Sequence, residues 1–128
     1  MLSICIPSIS IQKARKSLFF INKQLKDFSL IKEIEICVHI NGLKTNFDEI
    51  FKDFNHEVKK QFSNTQSKTV FQESYYSAVK LATQKFLIVI GDTDRLIDKN
   101  IEKLLIVLKE QKKAKMTYIS DNTSTSFE

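Results

Sequence analysis

Apolar and polar positions along the chain fall into two periods, one of two or less and one near 3.6, and the two alternate. Ser3-Ile4-Cys5-Ile6 is a short apolar run that predicts a strand ended by Pro7, with Ser8-Ile9-Ser10 as a loop. Ile11, Ala14, Leu18, Ile21, Leu25 and Phe28 then recur at gaps of three and four, which predicts a helix over 11–28 with Ser10 as its N-cap. Ile34, Ile36, Val38 and Ile40 alternate, so 34–40 reads as a second strand, stopped by Asn41-Gly42. Phe47, Ile50, Phe51, Phe54 and Val58 return to helical spacing behind Asn46, with Asp48 and Glu49 in the first turn.

Residues 59–67 are polar and read as a loop, followed by a short strand candidate at Lys68-Thr69-Val70-Phe71. Tyr75, Ala78, Val79 and Ala82 mark a helix, and Phe86 to Ile90 a strand that runs straight into Gly91-Asp92-Thr93-Asp94. Ile97, Ile101, Leu104, Leu105 and Leu108 mark a further helix with Asp98 near its start, and Met116 to Ile119 a last strand. Strands alternating with helices predict an α/β, Rossmann-like fold: a mainly parallel sheet with helices on both faces. The expected division is one domain over 1–119 and a polar tail over 120–128 that frays. Right-handed crossovers put all strand carboxyl ends on one rim, so the loops 7–10, 41–44 and 91–94 should meet there.

Composition narrows the functional classes. With 128 residues, 42% of them hydrophobic, the chain has material for one core. The formal charge of +5 is carried almost entirely by lysine spread along the chain, Arg15 and Arg95 being the only arginines. A nucleic-acid footprint would cluster its cations on one face, so nucleic acid is not an expected partner. Cys5 and Cys37 each sit in an apolar run with neither metal-ligand nor disulfide-framework spacing, which predicts buried free thiols. No secretory leader and no apolar stretch near the ~20 residues of a membrane span is present, so the expected location is the cytoplasm. With only Gly42 and Gly91, the chain holds no glycine-rich phosphate loop.

The candidate chemistry lies at Asp92 and Asp94. In extended chain, residues two apart point the same way, so both carboxylates could face one hard cation, Mg²⁺ or Mn²⁺, shared with substrate phosphates. Aspartates at a strand-to-helix turn serve equally well as caps for the next helix. Elsewhere the structural role is the expected one. His39 lies inside a strand and His56 on a polar stretch, with no ligand cluster around either. Tyr75 and Tyr76 either pack or stack on a base, and Arg95 either meets a phosphate or faces solvent.

These motifs, in this order, resemble the N-terminal half of the GT-A fold, family 2 glycosyltransferases. The resemblance covers about residues 2–110. It is carried by Ile6-Pro7-Ser8-Ile9-Ser10 after the first strand and Ile40-Asn41-Gly42-Leu43 after the second. Ala78-Val79-Lys80-Leu81-Ala82 before the fourth strand, Gly91-Asp92-Thr93-Asp94 after it, and the leucine-rich helix from Ile101 to Leu108 complete it. It implies a GT-A-like fold, here incomplete, that binds a nucleotide-diphosphate sugar together with Mn²⁺ or Mg²⁺. Pro7, Ser8, Ser10, Asn41 and Asp92 would then bind the donor, with Asp92 on the ribose and sugar side, and Asp94 with Asp92 would hold the metal. The chain departs from the family pattern at Ile9-Ser10 in place of Tyr-Asn, at Ile40 in place of an acidic residue that contacts the base, at Ser74, and at Gln84-Lys85. Its metal motif is retained while its base contacts are altered.

The resemblance further implies transfer of the sugar to a glycan or lipid-linked acceptor in bacterial surface polysaccharide synthesis, with peripheral attachment at the inner membrane face. In that family the acceptor site and the catalytic base come from the half after the Asp-x-Asp motif, so the chain reads as truncated, and dimerisation or poor solubility from an uncovered edge is expected. Asp98, Glu102 and Asp121 are the acidic residues shortly downstream, and capping or solvation is the expected role of each. The competing reading is a non-catalytic remnant or nucleotide-sugar-binding module. A receiver-like signalling domain is disfavoured, because the first strand ends in Pro7-Ser8 and not in an acidic cluster.

Overall fold

The computed structural model of the protein describes residues 1–96, 99–110, 116–119 and 124–127. Four strands, β1 (Leu2–Ser8), β2 (Ile34–Asn41), β3 (Lys59–Thr65) and β4 (Phe86–Val89), form one sheet. All pairings in it are parallel and the order is β3-β2-β1-β4. The segments 3–6, 34–40 and 86–90 are thus neighbouring parallel strands, as the apolar runs predict. The helices are α1 (Ile11–Gln24), α2 (Phe28–Glu33), α3 (Phe47–Ile50), α4 (Phe71–Lys80) and α5 (Asn100–Glu110). A separate antiparallel pair joins β5 (Met116–Ile119) to β6 (Ser124–Phe127). No helix among the described residues is long and apolar enough to cross a membrane.

Topology dictates what covers each face. The chain steps from β1 to β2 to β3 in one direction, and α4 then carries it back past β2 and β1 to β4. With right-handed crossovers, α4 lies on the opposite face from α1 and α3. Leu2, Ile4 and Ile6 of β1 and Ile34, Ile36, Val38 and Ile40 of β2 face the larger core, with Ala14, Leu18 and Ile21 of α1 and Ile101, Leu104, Leu105 and Leu108 of α5. Each fully buried isoleucine there contributes about 1.5–3 kcal/mol of hydrophobic free energy.

The face under α4 is smaller and more polar. Cys5 and Cys37 stand in register on β1 and β2 and pack against Ala78 as free, buried thiols. The hydrogen bond with Cys5, and then burial, push the Cys37 thiol up, so it stays protonated. Glu35, with no exposed surface, accepts hydrogen bonds from the Thr83 hydroxyl at 2.7 Å, the Thr83 amide at 3.2 Å and the Ser3 hydroxyl at 3.1 Å. Burial disfavours its charge, but these donors outweigh burial and hold the carboxyl below its ordinary value. His39 pairs through Nδ1 with the Ser63 hydroxyl at 2.7 Å while its buried Nε2 has no partner among the described residues, and burial lowers its pKa.

The structure corrects the sequence reading at several points. Pro7 does not end β1, which continues to Ser8. The Cys5 carbonyl accepts from the Ile90 amide, so Cys5 and Pro7 direct their backbone groups toward β4, and the pairing with β4 ends at Cys5. The missing Pro7 N–H therefore interrupts no ladder. The expected helix over 11–28 stops at Gln24, and Asp27 caps a second helix by accepting from the Ser29 amide. The segment 59–67 is not a loop, because it contains β3, and the strand expected at 68–71 is the approach to α4. Beyond α3 the chain only turns, although Phe51, Phe54 and Val58 are buried as their spacing requires. The polar tail contains β6 at 124–127. The expected start of the last helix at Ile97-Asp98, and Asp121, lie outside the described residues.

Candidate functional site

In the order β3-β2-β1-β4 the connection reverses direction between β1 and β4. A crevice at the carboxyl ends of such strands is where open α/β sheets bind ligands. A cleft of about 600 Å³ opens there, and Pro7, Ser8, Asn41, Asp92 and Asp94 all line it. Five of the six residues expected from sequence are thereby brought together from three loops. The sixth, Ser10, is not in the lining. Its hydroxyl oxygen accepts from the Lys13 amide at 3.2 Å and caps α1, as its position before the helix predicts.

The loop after β4 is held from beneath by α1. The Ser17 hydroxyl donates to the Asp92 carbonyl at 3.0 Å, and Arg95 donates to the carbonyls of Asp92 at 3.1 Å and Asp94 at 2.7 Å. The Arg95 guanidinium also lies 5.0 Å from the centre of the Phe20 ring. Arg95 therefore does not face solvent freely: it is half-buried and braces the loop. Gln24 continues the clamp, donating to the Leu96 carbonyl and accepting from the Ile101 amide at the start of α5. Ser17 carried a faint signal in the sequence, a small hydroxyl set within the apolar stripe of α1.

Each aspartate uses one oxygen for structure. Asp92 Oδ2 lies 2.7 Å from the Ser8 hydroxyl, which also accepts from the Ser10 amide at 3.1 Å. Asp94 Oδ2 accepts from the Gly91 amide at 3.1 Å and folds the loop back on itself. Among the described residues, neither Oδ1 has a hydrogen-bond partner, Asp92 is half-buried and Asp94 is exposed. Oxygen donors of this kind suit Mg²⁺ or Mn²⁺, which take one or two carboxylates and fill the remaining positions with water and substrate oxygens. The residues present fit such an ion as a pair shared with a ligand. Among the described residues no third acidic, histidine or cysteine ligand joins them.

Asn41 lines the cleft, and its side chain is engaged within the protein. Its Oδ1 accepts from the Thr69 amide at 2.8 Å, the Thr69 hydroxyl at 3.0 Å and the Thr65 hydroxyl at 3.1 Å, while Nδ2 donates to the Thr69 carbonyl at 3.0 Å. The amide pins the 65–69 segment to the end of β2 and so builds one wall of the cleft. Gly42 completes the turn with φ +81°, and a Cβ there would lie 3.1 Å from the Lys68 Cβ. Lys68, Thr69, Phe71 and Tyr75 line that wall. The strand expected over 68–71 concealed the first three. The stacking role open to Tyr75 fits its place in the lining. Tyr76 is exposed beside Lys80 and is not in the lining.

Comparison with protein-family models, with curated proteins and with solved structures finds no match for this chain.

Proposed function

We propose that the cleft binds a nucleotide-diphosphate sugar with a divalent cation, and that the chain is the donor-binding part of a glycosyltransferase of the GT-A type. The observation that supports this most is the pair Asp92 and Asp94 at the β1/β4 switch point, each with one carboxylate oxygen that has no hydrogen-bond partner among the described residues. Asp94 and Asp92 would hold the metal, whose chemistry is Lewis-acid neutralisation of charge on the leaving diphosphate. Ser8 fixes Asp92 through its hydroxyl, Ser17 and Arg95 hold the loop carbonyls, and Pro7 lies against the donor. Asn41 supports this from behind, by holding the cleft wall, and not by touching the ligand. The acceptor in this reading is a glycan or lipid-linked sugar.

A second reading, donor binding without turnover, draws on the position of Glu102. This acidic candidate for a base lines a separate hollow with Lys23, Asp27 and Lys99. Calorimetry with a UDP-sugar, with and without Mn²⁺, tests the common part of both readings. Binding that requires the metal, and is lost in Asp94→Asn but kept in Glu102→Gln, is the expected result. Metal-independent binding rejects the assignment, and release of sugar from the donor in the presence of an acceptor separates the enzyme from the module.

A further inference from the structure

We infer that the cleft holds a nucleobase by stacking and does not read its edge, so that nucleoside diphosphates bind with little regard to which base they carry. This rests on the nucleotide-sugar reading. Selecting a base requires a positioned donor or acceptor left exposed for its Watson–Crick edge; on this wall Ser74 of α4 is only 3% exposed, which leaves the end of β2 and the residues after it to supply one. Ile40 there is apolar and fully buried in the core on the other side of the sheet. Asn41, the next residue, has its acceptor oxygen occupied by three donors, and the Thr69 hydroxyl is one of them. Lys68 is an exposed, flexible cation that donates to any acceptor and so discriminates little.

What the wall does offer is aromatic surface. Phe71 and Tyr75, one turn apart on α4, line the cleft and are 70% and 42% exposed. Their ring centres are 6.2 Å apart with planes inclined at 50°, so a flat base covers the face of one ring against the edge of the other. Every base has a π-face, and stacking on it is tolerant of sequence. A phenylalanine left largely in water gains from being covered by any of them.

The test is calorimetry on the full chain in Mn²⁺ with UDP, CDP, ADP and GDP. Phe71→Ala, Tyr75→Ala and Phe71→Trp are compared, with circular dichroism confirming the fold of each. The expected result is four dissociation constants within about ten-fold of one another, all weakened roughly ten-fold by either alanine variant and preserved by Phe71→Trp. A preference for one base beyond about ten-fold points to a hydrogen-bonding pocket and overturns the inference while leaving the metal-diphosphate reading intact. Unchanged affinities in both alanine variants overturn it likewise. Failure of all four diphosphates to bind removes the nucleotide reading and this inference together.

Discussion

Asn41 and Asp92 hold matching positions: each is a polar residue at the carboxyl end of a parallel strand, Asn41 closing β2 and Asp92 following β4, on the same rim and lining the same cleft. Their surroundings part them. The Asn41 amide makes four hydrogen bonds, all within the protein, and is 3% exposed. Asp92 makes one through its carboxylate, to Ser8, and its backbone is held by Ser17 and Arg95. The first turn spends its side chain on building the wall, whereas the second is built by its neighbours and leaves a carboxylate oxygen available. Completeness of hydrogen bonding, more than residue type or position, separates a supporting polar group from one that meets a ligand.

The sharpest way to break this contrast is Asn41→Ala. Removing the amide leaves the half-buried groups of Thr65 and Thr69 without their partner, and a loss of about 1–3 kcal/mol in urea unfolding is expected. A loss under about 0.5 kcal/mol would put Asn41 back among the ligand contacts. Gly42→Ala probes the same turn through its backbone. The left-handed conformation costs a side chain about 1–2 kcal/mol, and the close approach of Lys68 adds to it. Gly91→Ala on the other side has no such backbone penalty; its Cβ would meet Asp94 Oδ2 at 2.9 Å, so Asp94 moves and metal-linked binding weakens while stability holds.

Acidification acts on the region under α4. His39 and Glu35 both have folded pKa values below their ordinary ones, 6.5 and 4.5. The unfolded chain therefore binds protons first, and stability present above those values is lost as pH falls below each, the loss setting in for His39 below 6.5 and for Glu35 below 4.5. Urea midpoints measured from pH 7 downward should fall in that order. The smallest expected effect is that of Asp94→Asn on stability itself, within about 0.5 kcal/mol, because the residue is exposed.

Much of this was legible in the sequence, for identifiable reasons. The strands β1 and β2 are apolar runs because they are central and buried, and the edge strand β4 because Phe86 and Ile88 pack against the larger core; the Gly91-Asp92 signal follows directly from β4. β3 was not legible: it is an edge strand whose residues Ser63, Asn64 and Thr65 turn their polar groups to His39, Leu43 and Asn41, so no apolar alternation marks it. Misreading β3 moved the wall of the cleft into a strand that is not there and hid Lys68 and Phe71. The break between α1 and α2 was masked because Leu25 and Phe28 continue the helical spacing across the Asp27 cap. The saturation of Asn41 depends on Thr65 and Thr69, more than twenty residues away, and no local pattern encodes it.

The claim that Asp92 and Asp94 are ligand-facing is tested most directly by ligand-linked stability. Urea unfolding of the wild-type chain is measured alone, with Mn²⁺, with a UDP-sugar, and with both. The account predicts little shift with either alone and a clear stabilisation with the two together, of about 2.7 kcal/mol at a hundred-fold excess over the dissociation constant. It predicts that this shift vanishes in Asp94→Asn. Equal stabilisation by the UDP-sugar with and without Mn²⁺, or an undiminished shift in Asp94→Asn, would contradict it.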